Sequence, residues 1–354
     1  MAQFARRRPL LVGALFAGTT CLALAACSEE PKESVQPITI IGSSTVYPFA
    51  QMVAETMLAE NQGIAEPDIS STGSTEGIAE FCQGEGPTTA DVVNASRRMT
   101  LAEFESCQKA GVNDIIEIKI GRDGIVFASA IEKGFDFALT PAALYRALAA
   151  SPFGEEQNAA NWRDVSGSLP NEPIIIYGPS GTSGTRDALL DVIMTPACRA
   201  NRSMAALEDS DPEAFEANCH TLRNDAAYIE QGEKDDLIVG KIANNPRAIG
   251  VFGYSYLEEN TETIKALTLG GVAPTAETIA DGSYPGSRPL YIYAKKAHIG
   301  VTPGLAEYLE CWPKAWKVNA ALAGIGLVPA TEEVQEKSAA AIADQITLTR
   351  ADFE

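Results

Sequence analysis

Apolar residues along this chain gather in short runs that end in small polar loops, and most loops lead into apolar positions at helical spacing. Ile38-Thr39-Ile40-Ile41 stops at Gly42-Ser43-Ser44-Thr45, after which Phe49, Met52, Val53 and Met57 recur on one helical face. Pro48 stands near that helix start, where proline is tolerated. The unit returns: a short segment at Ile69, the loop Ser71-Thr72-Gly73-Ser74, then a helix over Thr75–Gln83. Asp91–Ala95 predicts a strand ending at Ser96-Arg97-Arg98, and Thr100-Leu101-Ala102-Glu103 reads as a capping box for the next helix. Strands follow at Ile115–Ile120 and Gly124–Ser129, and Thr140-Pro141 opens a helix to Ala150. Pro173–Tyr177 predicts a strand, Gly178–Gly184 a loop and Thr185–Met194 a helix. Further on, Ala214–Cys219, Glu233–Asn244 and Glu332–Gln345 read as helices, and Ile249–Gly253, Ile264–Leu269 and Leu290–Ala294 as strands. This alternation implies an α/β fold.

The N-terminus has a different pattern. Arg6, Arg7 and Arg8 precede a nearly uncharged apolar run, Leu10–Ala26, too short and too early for a convincing membrane span. Residues 1–26 read as an export signal, with only a faint twin-arginine character. Leu24-Ala25-Ala26-Cys27 resembles a bacterial lipobox, which makes Cys27 the expected lipidated first residue; the plainer alternative is ordinary secretory cleavage. Polar, proline-containing residues 27–37 then form a tether. Removing the signal leaves 328 residues, enough for two lobes.

Charge narrows the function. The chain carries −20, and loss of the three signal arginines takes it to −23. Nucleic acid is a poor partner for such a surface, because its binding depends on Lys and Arg neutralising phosphates. Cys82–Cys107 and Cys198–Cys219 are the expected disulfides in an oxidising compartment, with buried free thiols as the alternative and Cys311 left over. No cysteine or histidine spacing suggests zinc, and no other cofactor is implied.

Four strand ends feed polar loops: Gly42–Thr45, Thr72–Thr75, Ser96–Arg98 and Gly178–Arg186. In α/β sheets such loops meet at the carboxyl edge, where helix N-termini favour an anion. The richest, Gly178-Pro179-Ser180-Gly181-Thr182-Ser183-Gly184-Thr185-Arg186-Asp187, lacks the lysine of a nucleotide P-loop. Singly, Thr45 or Ser74 reads as a helix cap and Arg97 or Arg98 as a solvated charge; Arg122 and Asp123 read as a pair at a turn.

Together, G-S-S-T-V-Y-P, T-G-S-T-E-G-I, D-V-V-N-A-S-R-R-M, G-P-S-G-T-S-G-T-R-D and Y-P-G-S-R-P-L-Y-I-Y resemble the phosphate-binding receptors of high-affinity phosphate ABC transporters, over residues 38–330. The resemblance implies a two-lobe periplasmic-binding-protein fold of type II with two crossover strands, near Gly124–Ala128 and Pro289–Ala294. Lobe 1 is then 36–124 plus 289–354, and lobe 2 is 125–288. The partners implied are inorganic phosphate and the permease in the inner membrane, with a periplasmic location and membrane contact only through the lipid.

Carried over by position, the phosphate ligands are Thr45, Val46, Ser74, Ser183, Gly184 and Thr185. This sequence departs from the pattern at Pro179, where some members have arginine, and at Arg97, where some have aspartate. Arg97 and Arg186 are therefore the expected cations, and Ser44, Ser96 and Thr182 are secondary candidates. An acid that accepts the proton of phosphate would exclude sulfate; Asp187 is the first candidate, then Glu76 and Asp123. Rival readings are a same-fold receptor for sulfate or molybdate, a lipid-anchored sensor or adhesin, and a serine hydrolase. The hydrolase needs a base beside its nucleophile, yet His220 and His298, the only histidines, lie in no recognised motif.

Overall fold

Nine strands among the described residues form one sheet in the order β2-β1-β3-β9-β4-β7-β5-β6, with β8 beside β4. They are β1 (Thr39–Gly42), β2 (Asp68–Ile69), β3 (Val92–Ala95), β4 (Ile115–Ala130), β5 (Ile176–Gly178), β6 (Tyr228–Glu230), β7 (Ile249–Gly253), β8 (Ile264–Ala266) and β9 (Ser287–Lys295). The computed structural model describes residues 36–181, 183–232, 235–317 and 320–353. The expected signal and Cys27 lie outside these residues, as does Thr182.

Strands β1, β2 and β3 are parallel, and so are β5, β6 and β7. The antiparallel ribbon of β4 and β9 joins the two sets, pairing Ile115 with Lys295 at one end and Gly124 with Ser287 at the other. Apolar side chains collect on either side of this join. One core draws on Ile125 to Tyr284, with Val328 added. Two others draw on residues before 121 and after 289, and cover the two faces of the β1–β3–β9 region.

The expected pair of strands at 115–120 and 124–129 is one continuous strand of sixteen residues. Gly121-Arg122-Asp123-Gly124 has the composition of a turn, but Arg122 and Asp123 pair with Pro289 and Arg288, and only a register shift beside Ile120 marks the place. Gly121 is needed there: a Cβ would come within 2.8 Å of the Val328 carbonyl oxygen. Arg122 and Asp123 do not pair with each other; Asp123 meets Arg288, and Arg122 donates to Ser287 Oγ at 3.0 Å.

The helix expected at Thr185–Met194 begins at Gly184 and runs on to Arg199, with a π-helical stretch at Leu189–Met194. Thr195 Oγ1 donates to the Leu190 carbonyl inside it. The capping box at Thr100 is present: Thr100 Oγ1 accepts from Glu103 N–H, and the Glu103 carboxylate accepts from Thr100 N–H. Cys82 is bonded to Cys107 and Cys198 to Cys219, while Cys311 is a buried free thiol. No helix among the described residues is long and apolar enough to cross a membrane.

Candidate functional site

The loops after β1 and β3 and the loop before helix Ser74–Phe81 meet the loop at 183–187 across a cleft beside the β4–β9 ribbon. Gly42, at φ +118°, turns the chain out of β1; a Cβ there would strike the Asn94 carbonyl oxygen at 2.2 Å, so only glycine lets the first and third loops lie this close. The N–H groups of Ser44, Thr45 and Val46 lead into helix Tyr47–Glu60 and make no hydrogen bond among the described residues. Ser74 and Thr75 open helix Ser74–Phe81 with their N–H groups in the same condition. Two sets of backbone donors at helix starts therefore border the cleft.

Contacts across the cleft are short. Ser44 Oγ donates to Asp187 Oδ2 at 2.6 Å, and Thr45 Oγ1 donates to the Gly184 carbonyl at 3.2 Å. Ser44 lines two adjoining hollows. One, of about 170 Å³, includes Thr45, Asp123, Gly184, Thr185 and Tyr254. The other, of about 180 Å³, includes Ser74, Glu76, Ser96, Arg97, Asp187 and Asp191. Ser74 Oγ lies 3.1 Å from Ser96 Oγ and accepts the Ser96 N–H at 3.0 Å, so these two hydroxyls are fixed as a pair.

The central cation is Arg288, at the start of β9, which the sequence reading did not select. It is 4% exposed. Its Nη2 donates to Thr45 Oγ1 and, at 2.9 Å, to the Gly184 carbonyl. Its Nε reaches Asp123 Oδ2 at 3.3 Å, and its Nη1 lies 3.6 Å from Asp191 Oδ2. That Nη1 is buried and makes no hydrogen bond among the described residues. Desolvation, foremost, raises the Asp191 carboxyl from its ordinary value and neighbouring Asp187 adds to this, while Arg288 pulls the other way. Asp187 and Asp191 stand four residues apart on one helix, which puts both on the cleft side.

The two expected arginines fare differently. Arg97 borders the second hollow, but its guanidinium is bidentate to Glu103 at 2.9 and 2.7 Å and donates to Thr75 Oγ1. Those Glu103 hydrogen bonds hold Arg97 above its ordinary value. Arg186 is not brought to the cleft. It lies over the Tyr228 ring, 5.0 Å from its centroid, and meets Glu230 at 3.4 Å. One residue along a helix is about a 100° turn, so the face that presents Asp187 and Asp191 turns Arg186 away.

Of the other expected ligands, Ser44, Thr45, Ser74, Ser96, Gly184, Thr185 and Asp187 come together at the hollows. Val46 is buried in the core and could serve only through its N–H. Ser183 is buried and caps its helix, accepting the Thr185 N–H at 3.2 Å. The missed residues were partly signalled: Arg288 is the arginine of Y-P-G-S-R-P, and Asp191 follows Asp187 by one helical turn.

Neither histidine reaches a cleft serine. His298 Nδ1 bonds Asp91 at 2.7 Å, and His220 bonds Glu216 and Thr195. No cluster of three or more histidine, cysteine or acidic side chains suited to a metal ion occurs among the described residues.

Comparison with known proteins gives a consistent picture. Protein SphX of Synechococcus elongatus is 30% identical over 275 residues, covering 74% of this chain and 70% of SphX. The phosphate-binding protein PstS of Staphylococcus saprophyticus is 26% identical over 302 residues, covering 84% of this chain and 82% of PstS. Among solved structures, a possible phosphate binding protein from Planctomyces limnophilus superposes with a TM-score of 0.69 at 26% identity, covering 88% of this chain and 99% of that one. An ABC-type phosphate transport receptor from Vibrio cholerae shares the fold at a TM-score of 0.53 and 20% identity, over 77% of this chain and 93% of its own. The family model for the PBP superfamily domain matches residues 28–310, and the chain belongs to that superfamily.

Proposed function

We propose that this chain is an extracytoplasmic receptor that binds inorganic phosphate in the cleft and hands it to the permease of an ABC transporter. The observation that carries this reading is Arg288. A buried guanidinium with one nitrogen free of hydrogen bonds stands among serine and threonine hydroxyls and open helix N-termini, the donor set a tetrahedral oxyanion needs. The similarity to PstS proteins supports phosphate as that anion. In this reading the ligand takes the place of the Ser44–Asp187 and Thr45–Gly184 contacts and bridges the two sides of the cleft. The division into lobes 36–124 plus 289–354 and 125–288 belongs to the same proposal, and the separation of the cores on either side of the ribbon supports it.

Asp187 and Asp191 favour phosphate over sulfate. Near neutral pH phosphate retains a proton that a carboxylate can accept, whereas sulfate would face an unmatched charge. Export by residues 1–26 and lipidation of Cys27 complete the proposal, and mass spectrometry of the mature N-terminus tests them. Calorimetric titration of phosphate-stripped protein with phosphate, arsenate and sulfate tests the function. The expected order is phosphate and arsenate well ahead of sulfate; sulfate binding as well as phosphate would overturn the assignment.

A further inference from the structure

A separate cavity of about 300 Å³ lies behind the β4–β9 ribbon, between it and the C-terminal helix Glu332–Ala343. Pairs Glu117–Tyr293, Lys119–Tyr291 and Arg122–Pro289 alternate along one face of the ribbon, and Asp123 with Arg288 lies on the other. The cavity thus shares no residue with the cleft. Its floor holds two polar groups that the protein leaves unmatched. Lys119 is half-buried, and among the described residues its ammonium has neither a hydrogen bond nor a carboxylate within ion-pair distance. Glu117, the nearest acid, is spent on Arg98 through three hydrogen bonds. Tyr291 is 8% exposed, and its hydroxyl makes no hydrogen bond among the described residues. In a chain of charge −20, a half-buried cation with no acid within ion-pair distance among the described residues is conspicuous. The rest of the wall is mixed: Val334, Ala341, Ile346 and Leu348 give it an apolar side, while Arg98 and Glu117 are paired with each other and the Asp352 carboxylate accepts from Thr349.

We propose that this cavity is a second ligand site, for a small carboxylate with an alkyl or aryl body. The carboxylate sits on Lys119 Nζ and the Tyr291 hydroxyl, and the body lies against Val334, Ala341 and Ile346. With Arg98 held by Glu117, the Lys119 ammonium and the neutral Tyr291 hydroxyl are the donors on the cavity floor left to meet a monoanion. Burial, foremost, and then Arg122 push the Lys119 ammonium below its ordinary value, and a bound carboxylate would restore its charged form. Burial pushes the Tyr291 phenol up to about 12, so it stays a donor at neutral pH.

The test is calorimetric titration of the mature protein with hexanoate, in saturating inorganic phosphate, with 1-hexanol as the uncharged control. One hexanoate per chain is expected, with hexanol much weaker. Lys119→Met should weaken hexanoate about tenfold, the scale of one hydrogen bond to a charged group. Ala341→Trp fills the cavity and should abolish binding, and it serves if Lys119→Met misfolds. Arg288→Met should leave hexanoate binding unchanged. No binding, equal binding of hexanol, indifference to both cavity substitutions, or loss only in Arg288→Met would each overturn the proposal.

Discussion

Strand β9 carries a buried cation at each end, and the two are held in different ways. Arg288 is 4% exposed and Lys295 is 0% exposed. Arg288 stands between two carboxylates, Asp123 and Asp191, and keeps one nitrogen without a hydrogen bond. Among the described residues Lys295 has only neutral acceptors, the Gly84 carbonyl at 2.6 Å and Thr89 Oγ1 at 2.9 Å, and it lies over the Phe81 ring. Burial pulls its ammonium down to about 8. The difference separates an under-coordinated cation, as a ligand site requires, from one whose donors are spent inside the protein. Burial alone does not mark a site; unspent valence beside a cleft does.

Substitutions at the Arg288 end carry the largest expected effects. Arg288→Met removes a buried charge and its donors; at about 1.5–3 kcal/mol for each hydrogen bond to a charged group, loss of two predicts phosphate binding weaker by about a hundredfold or more. Calorimetry decides it, and an unchanged affinity would erase the contrast between the two ends. Arg97→Ala should cost about tenfold or less, because Glu103 already occupies that guanidinium. Gly184→Ala comes next. A Cβ there would lie 3.0 Å from the Thr45 backbone N and Cα, so the two walls could not approach this closely, and about a tenfold loss of phosphate affinity is expected. Undiminished binding would mean that the Thr45–Gly184 approach is irrelevant to the ligand.

Asp187→Asn tests selectivity at the same end. An asparagine can still accept from Ser44 but is a poorer acceptor for the proton of phosphate, so the preference for phosphate over sulfate should fall by about tenfold. Competition titrations measure it. A preference that stays constant in Asp187→Asn and falls in Asp191→Asn would move the discriminating role one turn along the helix.

The α/β alternation was legible because each loop after a strand combines glycine with a cap, as at Gly42–Thr45 and Ser71–Ser74. The hydroxyls of the cleft were legible for the same reason: Ser44, Thr45 and Ser74 sit where helix starts must lie. Charge was harder to place. Arg97 looks free in sequence, yet Glu103 of its own capping box turns back to hold it. Arg288 looks ordinary, since only the pairing of β9 with β4, between residues 165 apart, brings it to Asp123 and Thr45. Helix Leu305–Ala315 has plain apolar spacing at Leu305, Tyr308, Leu309 and Trp312, but Gly304 and Pro313 argue for a break; the helix runs through Pro313 all the same, without that residue's backbone N–H.

The smallest expected effect lies at the Lys295 end. Lys295→Met should leave phosphate affinity unchanged, since its ammonium is given over to Gly84, Thr89 and the Phe81 ring, none of which borders the cleft hollows. Its consequence is for stability against pH. The folded protein holds this ammonium near 8, and the unfolded chain near the ordinary value of about 10.4. Below 8 both states carry the proton, and burial of the charge opposes folding. Between those values the unfolded state binds more protons than the folded one, so Lys295 makes stability rise with pH through this window and level off above it. Lys119 shifts in the same direction, so the quantity to read is the difference between wild type and variant. Urea unfolding from pH 7.5 to 10.5 should show a rising contribution in wild type that Lys295→Met lacks. If the two proteins change in parallel, the carbonyl and hydroxyl of Gly84 and Thr89 compensate the buried ammonium fully, and the two ends of β9 differ less than their partners imply.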